Sequence, residues 1–209
     1  FANPNNPTGL IIEKVDLINM LKKIPSRIIV VIDGAYAEYV TDKKFSDGLD
    51  LVNQFPNLII TRTFSKIFGL AGFRIGWAYS SKFIIDIMEK IRGPFNVNQV
   101  AQKAGSMILQ NRDFFEKSIL HNNKWKKWTF ENLNNLGLNT LLSHGNFLLV
   151  QVNIKNITAK QIVKRLESYG IKIRYMDGYN LKNHVRISIG LGKDLKELIK
   201  YLKIILIKN

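Results

Sequence analysis

The chain has 209 residues, 46% of them hydrophobic and 11% aromatic, and no cysteine. That is enough apolar material for a core in one large domain or two small ones, and it excludes a disordered chain, a disulfide framework and a thiolate metal site. Lys and Arg number 31 against 16 Asp and Glu, a formal net charge of +15, which raises nucleic-acid binding as a function.

The lysines are spread along the chain among many Asn and Ile, with no basic arm. The charge therefore reads as composition, with a share left for attracting anionic substrates. No apolar run reaches the length of a membrane span, and the N-terminus lacks the pattern of a signal peptide. A cytoplasmic protein with no nucleic-acid partner, no membrane and no metal is expected. The opening Phe1-Ala2-Asn3-Pro4 reads as a strand-to-loop junction, so the chain is taken as the C-terminal part of a longer protein.

Asn3 to Gly9 reads as a stiff turn, because Pro4 and Pro7 fix φ and bias Asn3 and Asn6 toward extended geometry. Asn6 is thereby held on a rigid backbone. Glu13 to Ile24 has helical periodicity, with Val15, Leu17, Ile18 and Leu21 on the apolar side. Arg27 to Ile32 is a β-branched run of the kind buried on both faces in a parallel sheet, and it ends in Asp33. An acid there points into the usual ligand crevice of α/β sheets. Leu58 to Arg62 is a second such strand and leads to Ser65 and Lys66. Arg74 to Tyr79 is a third, returning Arg74 across the same cleft after Gly69 and Gly72. Gly69-x-x-Gly72-x-x-x-Gly76 is not a dinucleotide fingerprint.

Lys82 to Arg92 reads as a helix broken by Gly93-Pro94. Gln99 to Gln110 is a second, with Ala101, Ala104 and Gly105 allowing close packing, and Asp113 to Leu136 a long polar connector. In His121 to Trp128 the aromatics alternate with lysines and could stack on bases. The favoured reading is a helix with packed tryptophans and solvated lysines. After Gly137 the order is strand (146–152), helix (159–169, capped by Thr158 and ended by Gly170), strands (171–174 and 184–190) and a terminal helix (194–207). This predicts an α/β chain in three parts: a larger domain over 1–112, a connecting helix over 113–136 and a small α+β domain over 137–209.

A lysine beside a hydroxyl, with an arginine close behind, suits an amine that condenses with a carbonyl cofactor whose phosphate is held nearby. The set Asn5-Asn6-Pro7-Thr8-Gly9, Asp33-x-Ala35-Tyr36, Thr63-Phe64-Ser65-Lys66 with Arg74, and Arg186 within Val185 to Gly190 resembles the class I/II, fold-type I, pyridoxal-phosphate-dependent aminotransferases. The resemblance covers nearly the whole chain. It implies part of a large-domain, mostly parallel sheet plus a small C-terminal domain, with pyridoxal 5'-phosphate as cofactor.

It also implies roles. Lys66 is similar to the lysine that holds the cofactor as a Schiff base and moves a proton in catalysis. Asp33 resembles the partner of the pyridine nitrogen, Asn6 and Tyr36 the pair on the ring hydroxyl, and Ser65 and Arg74 the phosphate ligands. Arg186 resembles the group that holds the substrate carboxylate or its equivalent. Arg92 to Asn98 and the Arg174 to Arg186 segment are most similar to the histidinol-phosphate aminotransferase family, in which Arg174 would lie near the substrate phosphate. That resemblance implies amino exchange between L-histidinol phosphate and 2-oxoglutarate by a homodimer. Gly34 departs from the motif, where Glu is more usual. The N-terminal segment of the family, with its phosphate cradle, ring-stacking aromatic and partner-subunit tyrosine, has no counterpart here. Other readings are an aromatic amino-acid aminotransferase, a threonine-phosphate decarboxylase, or an aminotransferase-like sensor domain of a transcriptional regulator.

Overall fold

The structure is a computed structural model that describes residues 1–207. Two compact units make up the chain. One comprises Phe1–Asn5 and Leu10–Ile119; the other comprises Asn6–Gly9 and the chain from Leu120 on. The last two positions of the expected small domain, 208 and 209, lie outside the described residues.

The first unit is built on a three-stranded sheet in the order β1 (Val30–Asp33), β2 (Leu58–Thr63), β3 (Gly76–Ser80). Strands β1 and β2 run parallel, with Val30 opposite Leu58 and Asp33 opposite Thr61. Their connection carries only short 3₁₀ turns at Ala37–Tyr39 and Leu49–Leu51. Residues at the start of the chain extend the sheet beside β1. The Phe1 nitrogen donates to the Val31 carbonyl at 2.9 Å, and Asn3 N–H donates to the Asp33 carbonyl at 3.0 Å. Helix α1 (Lys14–Lys23) closes one face of the sheet. Leu17 and Leu21 pack there with Val30, Ile32, Leu51, Leu58 and Ile60. Helices α2 (Lys82–Ile91) and α3 (Gln99–Gln110) follow β3, and Asn98 caps α3 through its side chain.

Three expectations are corrected here. The run 27–32 is not buried on both faces: Val30 and Ile32 are buried, whereas Ile28, Ile29 and Val31 are exposed, because the packed core lies on one side of β1. For the same geometric reason Val15 faces outward on α1 while Leu17 carries the packing. The third strand starts at Gly76, after Arg74, and runs antiparallel to β2. Among the three named strands only the β1–β2 pair is parallel, and the bridge from Ala2 to Asp33 is parallel as well.

Helix α4 (Arg112–Asn135) is continuous, and the division between the units falls within it. The second unit has a fully antiparallel sheet in the order β4 (Asn139–Thr140), β5 (Phe147–Gln151), β7 (His184–Ser188), β6 (Arg174–Tyr175). The core joins Leu148, Val150, Val185 and Ile187 of the sheet to Ile162 and Leu166 of α5 (Ala159–Glu167) and Leu198 and Leu202 of α6 (Gly192–Ile207). Helix α5 starts with a capping box: Thr158 Oγ1 accepts the Gln161 N–H at 3.2 Å, and Gln161 Oε1 accepts the Thr158 N–H at 2.8 Å. The short β4 escaped sequence reading because two residues carry no usable alternation.

On α4, Trp125 and Trp128 make an edge-to-face pair with centroids 5.5 Å apart and pack on this core. Lys124 and Lys127 are exposed, as expected, but Lys126 is not. Its ammonium donates to the Gly145 carbonyl at 3.2 Å, and Asn122, one turn earlier, donates to the same oxygen at 3.3 Å. Burial lowers the Lys126 ammonium from 10.5 to about 8. Among the described residues no helix is long and apolar enough to cross a membrane.

Two predictions follow from the second unit. Thr158→Ala removes the cap and lowers stability by about 1 kcal/mol in denaturant unfolding. Lys126 acts through pH. Above about 8 the folded chain releases this proton while the unfolded chain keeps it toward 10.5. The unfolded state then binds more protons, so stability rises with pH across that window. In urea unfolding, the stability gained between a neutral and a mildly alkaline buffer is therefore larger in the wild type than in Lys126→Met. Equal gains would contradict the assignment.

Candidate active site

Asp33 closes β1, and the loop bearing Ser65 and Lys66 leaves the same end of β2. Parallel pairing puts both at the carboxyl ends of their strands, where α/β sheets present ligand-binding groups. The Asp33 carboxylate is exposed, and Oδ1 accepts the Ala35 N–H at 3.0 Å. Tyr36, three residues past Asp33, is buried, with Lys66 Nζ 5.2 Å from its ring centroid.

The Lys66 loop is anchored on both sides. Phe64 and Ile67 are buried, and Phe68 lies 5.2 Å from Phe64 and 5.9 Å from Phe115. Ser65 N–H donates to Thr63 Oγ1 at 3.0 Å. Gly69 turns the chain at φ +70°, a left-handed geometry that favours glycine. Gly72, expected to share that task, has no positive φ; Arg74 does, at φ 54°. From there its Nη1 donates to Ser65 Oγ at 3.2 Å and to the Ala71 carbonyl at 2.8 Å. A hydroxyl and a guanidinium thus converge at one exposed point, a donor set suited to a phosphate. The first unit therefore assembles Asp33, Tyr36, Ser65, Lys66 and Arg74.

The second unit holds the other three expected residues. Arg186 Nη1 donates to Asn6 Oδ1 at 2.6 Å, its guanidinium lies 5.1 Å from the Phe147 ring centroid, and its Nε is buried without a hydrogen-bond partner. With Oδ1 engaged, the Asn6 amide nitrogen is the group left to donate to a ligand oxygen. The Asn6–Gly9 turn is tied to the loop before β5 by the His144 N–H, which donates to the Gly9 carbonyl at 2.8 Å. Arg174 on β6 sits directly opposite Arg186 on β7. An open cavity of about 350 Å³ is lined by both arginines together with Lys172, Ser188 and Asp194. Like charges opposed across a strand pair destabilise it, so this pair suits an anion.

Two side chains carry weight that sequence reading did not give them. Phe147 supports Arg186, which only the strand register reveals. Arg62 is buried inside β2 and ion-paired with Asp47 at 2.7 Å; an arginine within an apolar strand was the available signal. Glu38, 3.7 Å from Arg62 Nε, has its carboxyl raised by burial, which outweighs the nearby guanidinium.

The family model for aminotransferase class I and II matches residues 1–202. The chain belongs to the class I and II aminotransferase family. Among curated relatives, a histidinol-phosphate aminotransferase of Pelagibacter ubique is 42% identical over 205 residues, covering 98% of this chain and 57% of the relative. One from Caldicellulosiruptor saccharolyticus is 40% identical over 205 residues, covering 98% and 56%. Among solved structures, histidinol-phosphate aminotransferase from Sinorhizobium meliloti in complex with pyridoxal-5'-phosphate superimposes with a TM-score of 0.92 at 28% identity, covering 100% of this chain and 56% of that one. The fold is that of fold-type I aminotransferases, and the chain spans a little over half the length of the relatives it matches.

The arginine pair of this aminotransferase chain makes a direct prediction. Arg174→Gln relieves the opposed charges and raises the low-salt stability by up to about 1 kcal/mol. Added inorganic phosphate raises Tm more in the wild type than in this variant, by mass action on the folded state. Equal phosphate responses would contradict an anion site at the pair.

Proposed function

We propose that the protein carrying this chain is a pyridoxal-phosphate-dependent transaminase that exchanges an amino group between L-histidinol phosphate and 2-oxoglutarate in histidine biosynthesis. The observation that carries the reading is the grouping of Asp33, Tyr36, Ser65, Lys66 and Arg74 at the carboxyl ends of β1 and β2. The donor set fits the cofactor. An exposed carboxylate meets a ring nitrogen, an amine meets an aldehyde, and a hydroxyl paired with a guanidinium meets a phosphate.

When bound, pyridoxal phosphate supplies an electron-withdrawing ring and a carbon that takes up and releases the amino group. The chain's own residues then divide the work. Lys66 Nζ would hold the cofactor covalently, and its amine, when not so engaged, would be the base that takes the proton from the substrate α-carbon. The Asp33 carboxylate would hold a proton on the ring nitrogen. The Tyr36 hydroxyl would donate to the ring hydroxyl oxygen, a role the family resemblance also gives the Asn6 amide. Ser65 and Arg74 would hold the phosphate, Arg74 as a charged fork.

Arg186 and Arg174 bind the substrates' anionic ends. Both substrates of a complete cycle carry strong negative charge, one as phosphate and one as two carboxylates, and opposed arginines can serve both. That pair favours these substrates over an aromatic amino acid. We further place the protein in the cytoplasm as a homodimer, on its likeness to biosynthetic relatives.

Borohydride reduction after incubation with pyridoxal phosphate tests the core of the reading. The cofactor mass is expected on Lys66 in the wild type and absent in Lys66→Ala; a reducible adduct retained by Lys66→Ala contradicts the assignment. Asp33→Ala is expected to keep cofactor binding and lose about 10²-fold or more of the transamination rate, the scale of removing one charge-stabilising group. An undiminished rate contradicts the role given to Asp33.

A further inference from the structure

The Asp33-x-Ala35-Tyr36 turn has glycine at position 34, where the resembling motif more often carries Glu. The conformation there does not require it, since Gly34 is not among the glycines of positive φ. The space does. A Cβ on Gly34 would lie 2.2 Å from Arg62 Nη1, 3.0 Å from Arg62 Cζ and 3.2 Å from the Thr61 carbonyl oxygen. Arg62 thus occupies, from the neighbouring strand, the place that a side chain at 34 would take.

The arginine is held hard in that place. Its side chain is only 4% exposed, with Nη2 2.7 Å from Asp47 Oδ2, Nε 3.7 Å from Glu38 Oε1 and Cζ 5.9 Å from the Trp77 ring centroid. A guanidinium this buried is tolerable only when paired. Its remaining arm, Nη1, donates to the Gly34 carbonyl at 3.0 Å, and that oxygen also accepts the Ala37 N–H at 3.0 Å. The Gly34 N–H in turn donates to the Thr61 carbonyl at 2.9 Å. Peptide 34 is thereby clamped to β2 on both sides. The Gly34 carbonyl shares one peptide unit with the Ala35 N–H that fixes the Asp33 carboxylate, and the residue after Ala35 is Tyr36.

We propose that Arg62 is a positioning residue, which acts through the Gly34 carbonyl to set the Asp33 carboxylate and the Tyr36 ring, and that Gly34 and Arg62 form a matched pair in which either side chain excludes the other. The positioning role rests on the reading of Asp33 and Tyr36 as cofactor ligands; the pairing does not.

The test is a double-mutant cycle of Gly34→Ala and Arg62→Ala with two readouts. The first is Tm, taken without cofactor. Gly34→Ala alone lowers Tm, because Cβ meets the guanidinium, and it costs little in the Arg62→Ala background. Additive Tm changes would overturn the pairing. The second readout is the visible absorption band of bound pyridoxal phosphate, titrated against pH and against cofactor. Arg62→Ala is expected to weaken cofactor binding about tenfold, as loss of a supporting partner does elsewhere, and to move the pH midpoint of the band. Arg62→Lys is expected not to rescue, since a single ammonium cannot span Asp47 and the Gly34 carbonyl together. A midpoint and affinity equal to wild type in Arg62→Ala would overturn the positioning role.

Should Arg62→Ala fail to fold, Asp47→Asn carries the same test, because it loosens Arg62 without opening a cavity. It should move the midpoint in the same direction by less, and an unmoved midpoint overturns the role. A wild-type protein that takes up no pyridoxal phosphate contradicts the proposed function and leaves the pairing to be judged by Tm alone.

Discussion

The parallel register of Val30–Asp33 on Leu58–Thr61 is the constraint on which the first unit depends. It is set by apolar side chains on one face, where Val30, Ile32, Leu58 and Ile60 meet Leu17 and Leu21 of α1. A slip of one residue would turn that set outward and expose it. The same register places Asp33 opposite Thr61, and the chain beyond Thr61 delivers Ser65 and Lys66. Core packing and site chemistry are therefore one alignment. Charged and reactive groups sit where the strands stop, and the buried face gives them a fixed base.

The two units handle charge in contrasting ways. Arg62 is buried in the first and is satisfied by two carboxylates and a carbonyl. Arg174 and Arg186 in the second face each other across a strand pair, and Arg186 keeps a buried Nε without a hydrogen-bond partner. A buried donor left unpaired is costly, and opposed cations add to the cost. The first arrangement is what a structural arginine requires; the second is what an anion-binding one tolerates. Gly145 illustrates a third case, with one carbonyl accepting from both Asn122 and a partly buried Lys126.

Most of the helices were legible in the sequence because their signals are local. Thr158 with Gln161 announces the start of α5, and the small residues Ala101 and Gly105 mark the packed side of α3. The candidate site residues stand out in the sequence as a set, through their order along the chain and their likeness to a family. Their support was not. Whether β1 is covered on one face or two depends on what packs against it, and the β-branched run 28–32 reads alike in both cases. The direction of β3 and the left-handed Arg74 depend on how the Gly69 loop closes, which spacing does not encode. The role of Arg62 appears only once Gly34 is seen beside it, because the two are joined by strand pairing and lie 28 residues apart in sequence.

The most direct measurement is the visible spectrum of the purified protein with pyridoxal phosphate, recorded as an amine is added. L-Histidinol phosphate, O-phospho-L-threonine and L-phenylalanine are compared at equal concentration. The account predicts an absorption band that L-histidinol phosphate bleaches fastest and that 2-oxoglutarate restores. No band, or a band that L-phenylalanine bleaches faster than L-histidinol phosphate, would contradict it.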